Sequence, residues 1–168
     1  MTATVKAVRS ENGHQLDVRA RVLLCRRVHH QAAPANVRLI VDTGSAKTHL
    51  RVQALSGVEF RRTEWVCGIA GGKIPGMETQ AHLVFDGQLI TAPVVLLNGR
   101  DRQEDGVIGL DLLQSMGLRD GQAELQLAVP DDRYRSALDE VVMAKDCGCW
   151  PLLRQAVKDR GIWHRTGF

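Results

Sequence analysis

Apolar and polar positions alternate along much of the chain. In HQLDVRARVLLC (14–25), Leu16, Val18, Ala20 and Val22 face one way and polar neighbours the other, which predicts a strand buried on one side. RRVHHQAAPAN (26–36) is polar with a proline and predicts a loop. Residues 37–41, VRLIV, predict a second strand that runs straight into Asp42-Thr43-Gly44-Ser45. GVEFRRTEWV (57–66) predicts another strand. CGIAGGKIPG (67–76) holds four glycines and a proline, too flexible a composition for a core element, and predicts a mobile hairpin tip.

Alternation resumes in TQAHLVF (79–85). Asp86-Gly87, a two-residue hairpin signal, and the return strand QLITAPVVLL (88–97) follow. NGRDRQEDG (98–106) predicts an exposed loop. VIGLDLLQSMG (107–117) starts as a short apolar strand and becomes a short helix stopped by Gly117. GQAELQLAV (121–129) predicts a last strand. Beyond Pro130 the period changes from two to helical. Tyr134, Leu138, Val141 and Val142 recur at helical spacing after two acids. CWPLLRQAVKDRGIW then predicts a second helix with Pro151 in its first turn, Leu152, Leu153, Ala156 and Val157 on one side, and Gly161 at its end. The body is mostly short strands, followed by a helical tail of roughly forty residues.

Composition narrows the function classes. The chain has 168 residues, 44% hydrophobic and 24% charged, as in an ordinary soluble globule. Its net charge of +3 is too weak to argue for nucleic acid. Residues 1–51 carry nine Lys/Arg against three Asp/Glu, a local excess that fits Arg-protected strand edges. No apolar run approaches a membrane span and the N-terminus has no signal-peptide core, so a cytoplasmic protein is expected. Cys25, Cys67, Cys147 and Cys149 are expected to be free thiols. Cys147-Gly148-Cys149 with His164 nearby suggests zinc, but the spacing fits no structural zinc pattern well. No metal or cofactor is expected. The histidines are read as surface or packing residues.

The end of the second strand raises the chemical question. A carboxylate that closes an apolar strand is costly unless it is paired, hydrogen-bonded or protonated. An Asp-x-Gly turn arises by chance. It also serves as a phosphate loop in two-lobed ATPases, for which this chain is too short and too rich in alternating strands. A third reading makes Asp42 half of a carboxylate dyad that shares one proton and activates water for amide hydrolysis. In that reading Gly44 allows close backbone approach, Thr43 reaches across to an opposing turn, and Ser45 donates to the carboxylate.

The order and spacing of three motifs resemble those of the retropepsin-like aspartic proteases, the retroviral and single-domain cellular branch of the acid proteases. They are the apolar strand into Asp42-Thr43-Gly44-Ser45, with Thr48 three residues later; the glycine-rich GIAGG (68–72), where the family has its flap; and VIGLDLL (107–113), where it has an apolar-apolar-Gly-x-Asp segment leading into a helix. The resemblance spans roughly residues 14–129. It implies a mainly β fold, a closed acid-protease barrel with one short helix, here with a C-terminal helical extension. It divides the chain into a protease domain (1–130) and an extension (131–168). It assigns catalysis to Asp42, Thr43 and Gly44, and substrate binding to Ser45, Gly68, Ile69, Ala70, Gly71, Gly72 and Ile108, with Ile74 and Val107 as further wall candidates. Gly109 is expected to pass the catalytic turn too closely for a side chain, and Asp111 to cap the helix. Ala46 and Lys47 depart from the family, which usually has acids there.

Only one Asp-Thr-Gly occurs, so a dyad needs two copies of Asp42 on a two-fold axis. The expected protein is therefore a homodimeric aspartic endopeptidase acting on peptide or protein substrates, with no nucleic-acid or membrane partner. The alternative is a non-catalytic dimer of the same fold that binds an extended peptide of a partner protein by strand addition.

Overall fold

The computed structural model describes residues 3–9, 16–68, 71–85, 88–99, 104–115, 117–120, 124–129 and 137–158. In chain order these form β1 (Ala3–Arg9), β2 (Leu16–Leu24), β3 (Ala35–Val41), β4 (His49–Arg51), a 3-10 turn (Val52–Ala54), β5 (Glu64–Cys67), β6 (Lys73–Phe85), β7 (Gln88–Leu97), β8 (Gly106–Ile108), α1 (Leu110–Ser115), β9 (Gly117–Asp120), β10 (Glu124–Val129), α2 (Ala137–Asp146) and α3 (Trp150–Lys158).

Strands β2, β3, β8, β4, β7 and β6 pair in that order, and β6 pairs back onto β2, closing a six-stranded barrel. Two of its pairings are parallel, β3 with β8 and β4 with β7. The others are antiparallel. A closed sheet leaves no edge inside the ring, and alternate side chains fill its interior. Val18, Ala20, Val22 and Leu24 of β2 point inward beside Leu39, Leu83, Phe85, Ile90, Leu96 and Ile108. Outside the ring, β1 pairs with β2 and β10, and β10 with β9.

The period-2 pattern of β2 breaks at Leu23-Leu24, where both residues are buried. The physical reason is a second core. Leu23, Val84 and Leu89 face outward from the barrel, and α2 and α3 cover them with Val141, Ala144, Cys149, Trp150, Leu153 and Val157. His82 lies on this covered outer face and is 2% exposed. Its register partners are Leu23 on β2 and Thr91 on β7. Burial pushes the His82 pKa down to about 4 and that of Cys149 up to about 12. Among the described residues, no helix is long and apolar enough to cross a membrane.

The return strand at 88–97 forms as expected, and the strand expected at 79–85 extends back to Lys73. The strand expected over 57–66 is shorter, beginning at Glu64. In 58–63, side-chain atoms take over much of the ladder: Arg61 N–H is directed at Met77 Sδ at 3.2 Å and Thr63 Oγ1 accepts Glu78 N–H at 2.9 Å, while Thr63 N–H keeps a backbone bond to Gly76 O at 2.8 Å. Strand β1 was not expected, because its alternation rests on two small alanines, Ala3 and Ala7, and a single valine, Val5. Short β4 and β9 were also missed. Tyr134, Gly161 and His164 lie outside the described residues.

Candidate active site

Strand β3 delivers Asp42 to the end of the barrel. Its N–H donates to Ile108 O at 3.0 Å, continuing the parallel ladder between β3 and β8 by one rung. The chain then turns, Ser45 N–H donating to Asp42 O at 3.2 Å. Gly44 N–H donates to Asp42 Oδ1 at 2.8 Å. A Cβ on Gly44 would stand 3.1 Å from that same oxygen, so the glycine keeps the carboxylate surroundings open. Asp42 is half-buried and Thr43 exposed, so the acid lies at the surface of the single chain.

The segment after β8 braces this turn from below. Leu110 N–H donates to Ser45 O at 2.8 Å and Asp111 N–H to Ala46 O at 3.2 Å. Thr48, 1% exposed, links the two loops through its hydroxyl, which accepts Gly109 N–H at 3.1 Å and donates to Asp111 Oδ1 at 2.8 Å. Asp111 Oδ1 also accepts Leu112 N–H at 2.7 Å, within the first turn of α1. Asp111, the second residue of α1, thus accepts a first-turn N–H and in addition anchors Thr48, a role the sequence signalled only by a Thr at fixed distance from Asp-Thr-Gly. Gly109 is required sterically. A Cβ there would run into the Lys47 carbonyl and lie 2.8 Å from Ser45 O.

Two expectations change. Ser45 Oγ donates to Lys47 O at 2.8 Å, with His49 Nδ1 at 3.3 Å, so the hydroxyl stiffens its own turn and does not reach the carboxylate. Ile108 is fully buried in the barrel core, whereas its neighbour Val107 is half-buried. Alternation along β8 turns Ile108 inward and leaves Val107 partly exposed.

The glycine-rich segment is a hairpin tip. Strands β5 and β6 pair from Glu64↔Gly76 to Cys67↔Lys73. Gly68 N–H donates to Gly72 O at 2.8 Å, and Gly71 N–H to Gly68 O at 3.0 Å. Gly71 has φ +78°, a left-handed conformation that glycine adopts without strain. Ile69 and Ala70, at the tip, lie outside the described residues. Lys47 pairs with Glu64 at the hairpin's root at 3.5 Å, a contact the sequence did not signal. Away from this site, His82, Cys147 and Cys149 gather as potential metal ligands.

With this architecture in view, comparison with known proteins places the fold. No protein-family model matches the chain, and no curated protein sequence matches it. Among solved structures, a retropepsin-like aspartic protease from Rickettsia conorii aligns with a TM-score of 0.52 at 16% identity, covering 77% of this chain and 93% of that one. The EIAV protease complexed with the inhibitor HBY-793 aligns with a TM-score of 0.44 at 16% identity, covering 64% of this chain and 92% of that one. The chain has a retropepsin-like fold. The single barrel also removes the two-lobed ATPase reading of the Asp-Thr-Gly turn.

Proposed function

We propose that the protein is an aspartic endopeptidase, active as a homodimer, which hydrolyses peptide bonds with a water held between two Asp42 carboxylates. The observation that carries this reading is the presentation of Asp42. It is an acid at a strand end, held by the Gly44 amide and braced through Thr48 and the Gly109 segment, on a fold whose solved neighbour at 93% coverage is an aspartic protease.

Two carboxylates brought together by a two-fold axis share one proton. The ionised one takes a proton from the bridging water as its oxygen attacks the scissile carbonyl carbon, and the protonated one donates to the carbonyl oxygen. The resulting diol collapses as the leaving nitrogen takes up a proton. No bond to the enzyme forms. Thr43 is exposed and can bridge to the opposing turn. The hairpin of Gly68, Ile69, Ala70, Gly71 and Gly72 serves as a flap, with the substrate lying as an added strand beneath it and Val107 lining the floor. Ser45 supports the turn. Residues 1–130 form the protease domain and 131–168 an extension. Cys25, Cys67, Cys147 and Cys149 carry free thiols, and on this reading the protein is cytoplasmic.

Asp42→Asn tests the reading. An amide cannot act as base, so cleavage of a peptide library should fall to background while the thermal unfolding midpoint is kept or raised. A variant that still cuts at wild-type sites would refute the assignment. A folded, dimeric wild type that binds peptides but cuts none at any pH would favour the peptide-binding alternative.

A further inference from the structure

Three separate stretches of chain converge behind the barrel on a cluster of sulfur and nitrogen atoms. Cys147 and Cys149 come from the turn between α2 and α3, and His82 from the outward face of β6. Their ligand atoms all lie within 4.8 Å of one another. Cys147 Sγ is 2.8 Å from Cys149 Sγ and 3.1 Å from His82 Nε2. Cys25, the first residue after β2, sits between Leu24, whose carbonyl oxygen lies 3.8 Å from Cys149 Sγ, and Arg26, whose N–H points at the same sulfur at 3.4 Å. His82 and Cys149 are buried, Cys25 and Cys147 partly so.

We propose that Cys25, His82, Cys147 and Cys149 bind one zinc ion that fastens the helical extension to the barrel. Three sulfurs and one imidazole are a structural zinc donor set, and four protein ligands leave no open position for a substrate or an activated water. The surroundings fit. Thr91 Oγ1 lies 2.8 Å from His82 Nδ1, so an Nδ1–H bond to it fixes the tautomer that turns the Nε2 lone pair towards the sulfurs. Arg26 N–H points at Cys149 Sγ at 3.4 Å, a contact suited to a thiolate. Tetrahedral coordination at about 2.3 Å per sulfur sets sulfurs roughly 3.7 Å apart, so binding spreads these groups by about an ångström. Zinc binding displaces the thiol protons.

The site is separate from the catalytic turn. Val22 pairs with Ala35, so Cys25 follows β2 at the end of the barrel where β3 begins, whereas Asp42 follows the other end of β3. The expectation of no metal rested on ligand spacing along the chain. Here Cys147-Gly148-Cys149 is the only close pair, and its partners are His82 and Cys25 from distant strands. Sequence proximity had instead suggested His164.

The test is metal analysis of the full chain, produced with zinc available and purified without chelator. About one zinc per chain is expected, held with a Kd of about nanomolar or tighter in competition with a chelating dye. Co(II) should give the visible bands of a tetrahedral thiolate site. Cys147→Ser and Cys149→Ser should lose the metal, whereas Cys67→Ser, at an exposed position outside the cluster, should keep it. Thr91→Val, which leaves all four ligands in place, should weaken binding by about 10–100-fold. Chelation should lower hydrogen-exchange protection in α2 and α3 more than in β3 and β8. Substoichiometric zinc, micromolar or weaker binding, a different metal in the protein as isolated, or a disulfide between any of these cysteines would overturn the proposal. So would metal retained in the cysteine variants or unchanged in Thr91→Val. Wild-type stoichiometry and Thr91→Val decide the matter even if a ligand variant fails to fold.

Discussion

Gly109 shows how a residue can be fixed by its surroundings and still be legible in sequence. The apolar-apolar-Gly-x-Asp pattern implied a strand passing too close for a side chain, and an added Cβ would indeed meet the Lys47 and Ser45 carbonyls. Neither partner is a flexible side chain end, so Gly109→Ala should destabilise by about 1–3 kcal/mol or more, read from denaturant unfolding. An unchanged midpoint would mean that the turn yields freely. Ser45 is the opposite case. Chain order places its hydroxyl near the acid, but only coordinates reveal that it bonds Lys47 O. Ser45→Ala should leave the acidic limb of the pH–rate profile in place and cost about 0.5–1.5 kcal/mol of stability. A limb displaced towards neutral pH would show that the hydroxyl reaches Asp42 in the working enzyme. Ile108 and Val107 were indistinguishable as apolar neighbours in sequence, and the register of β8 separates them.

Elements whose burial is one-sided were the easiest to read. Alternation located β2, and a hairpin signal with two apolar arms located β6 and β7. Where side chains take over backbone pairing, as at 58–63, or where alternation rests on alanine, as in β1, the pattern carried too little contrast. The hairpin of β5 and β6 was legible from its glycines, and its backbone makes a specific prediction. Among the described residues nothing crowds Gly71, but its φ is positive. Gly71→Ala should therefore strain the tip by about 1 kcal/mol without touching the core. If the tip closes over substrate, kcat/KM should fall several-fold while the thermal midpoint stays within a degree or two. Unaltered kinetics would remove the hairpin from the catalytic cycle.

At the scale of the whole molecule, the barrel and the helical tail were both anticipated, but their contact was not. Helical spacing gave α3 an apolar side without saying what it covers. The answer lies in Leu23, Val84 and Leu89, residues that read as ordinary strand positions until the helices are seen over them. The proposed two-chain site, by contrast, is inferred from the sequence itself, because a dyad built from a single Asp-Thr-Gly needs two chains. A dimer with one catalytic acid per chain has a consequence that a monomeric enzyme lacks. Wild-type chains mixed with excess inactive chains lose activity through hybrid dimers, each with one Asp and one Asn. The decisive measurement is peptide cleavage at a fixed wild-type concentration while Asp42→Asn chains are added and subunits are allowed to exchange. Above the dimer dissociation constant, with random pairing, activity should fall to about half at equal amounts and to about a tenth at a nine-fold excess. Activity that stays constant as the variant is added, under conditions where exchange is demonstrated, would contradict a shared pair of Asp42 carboxylates.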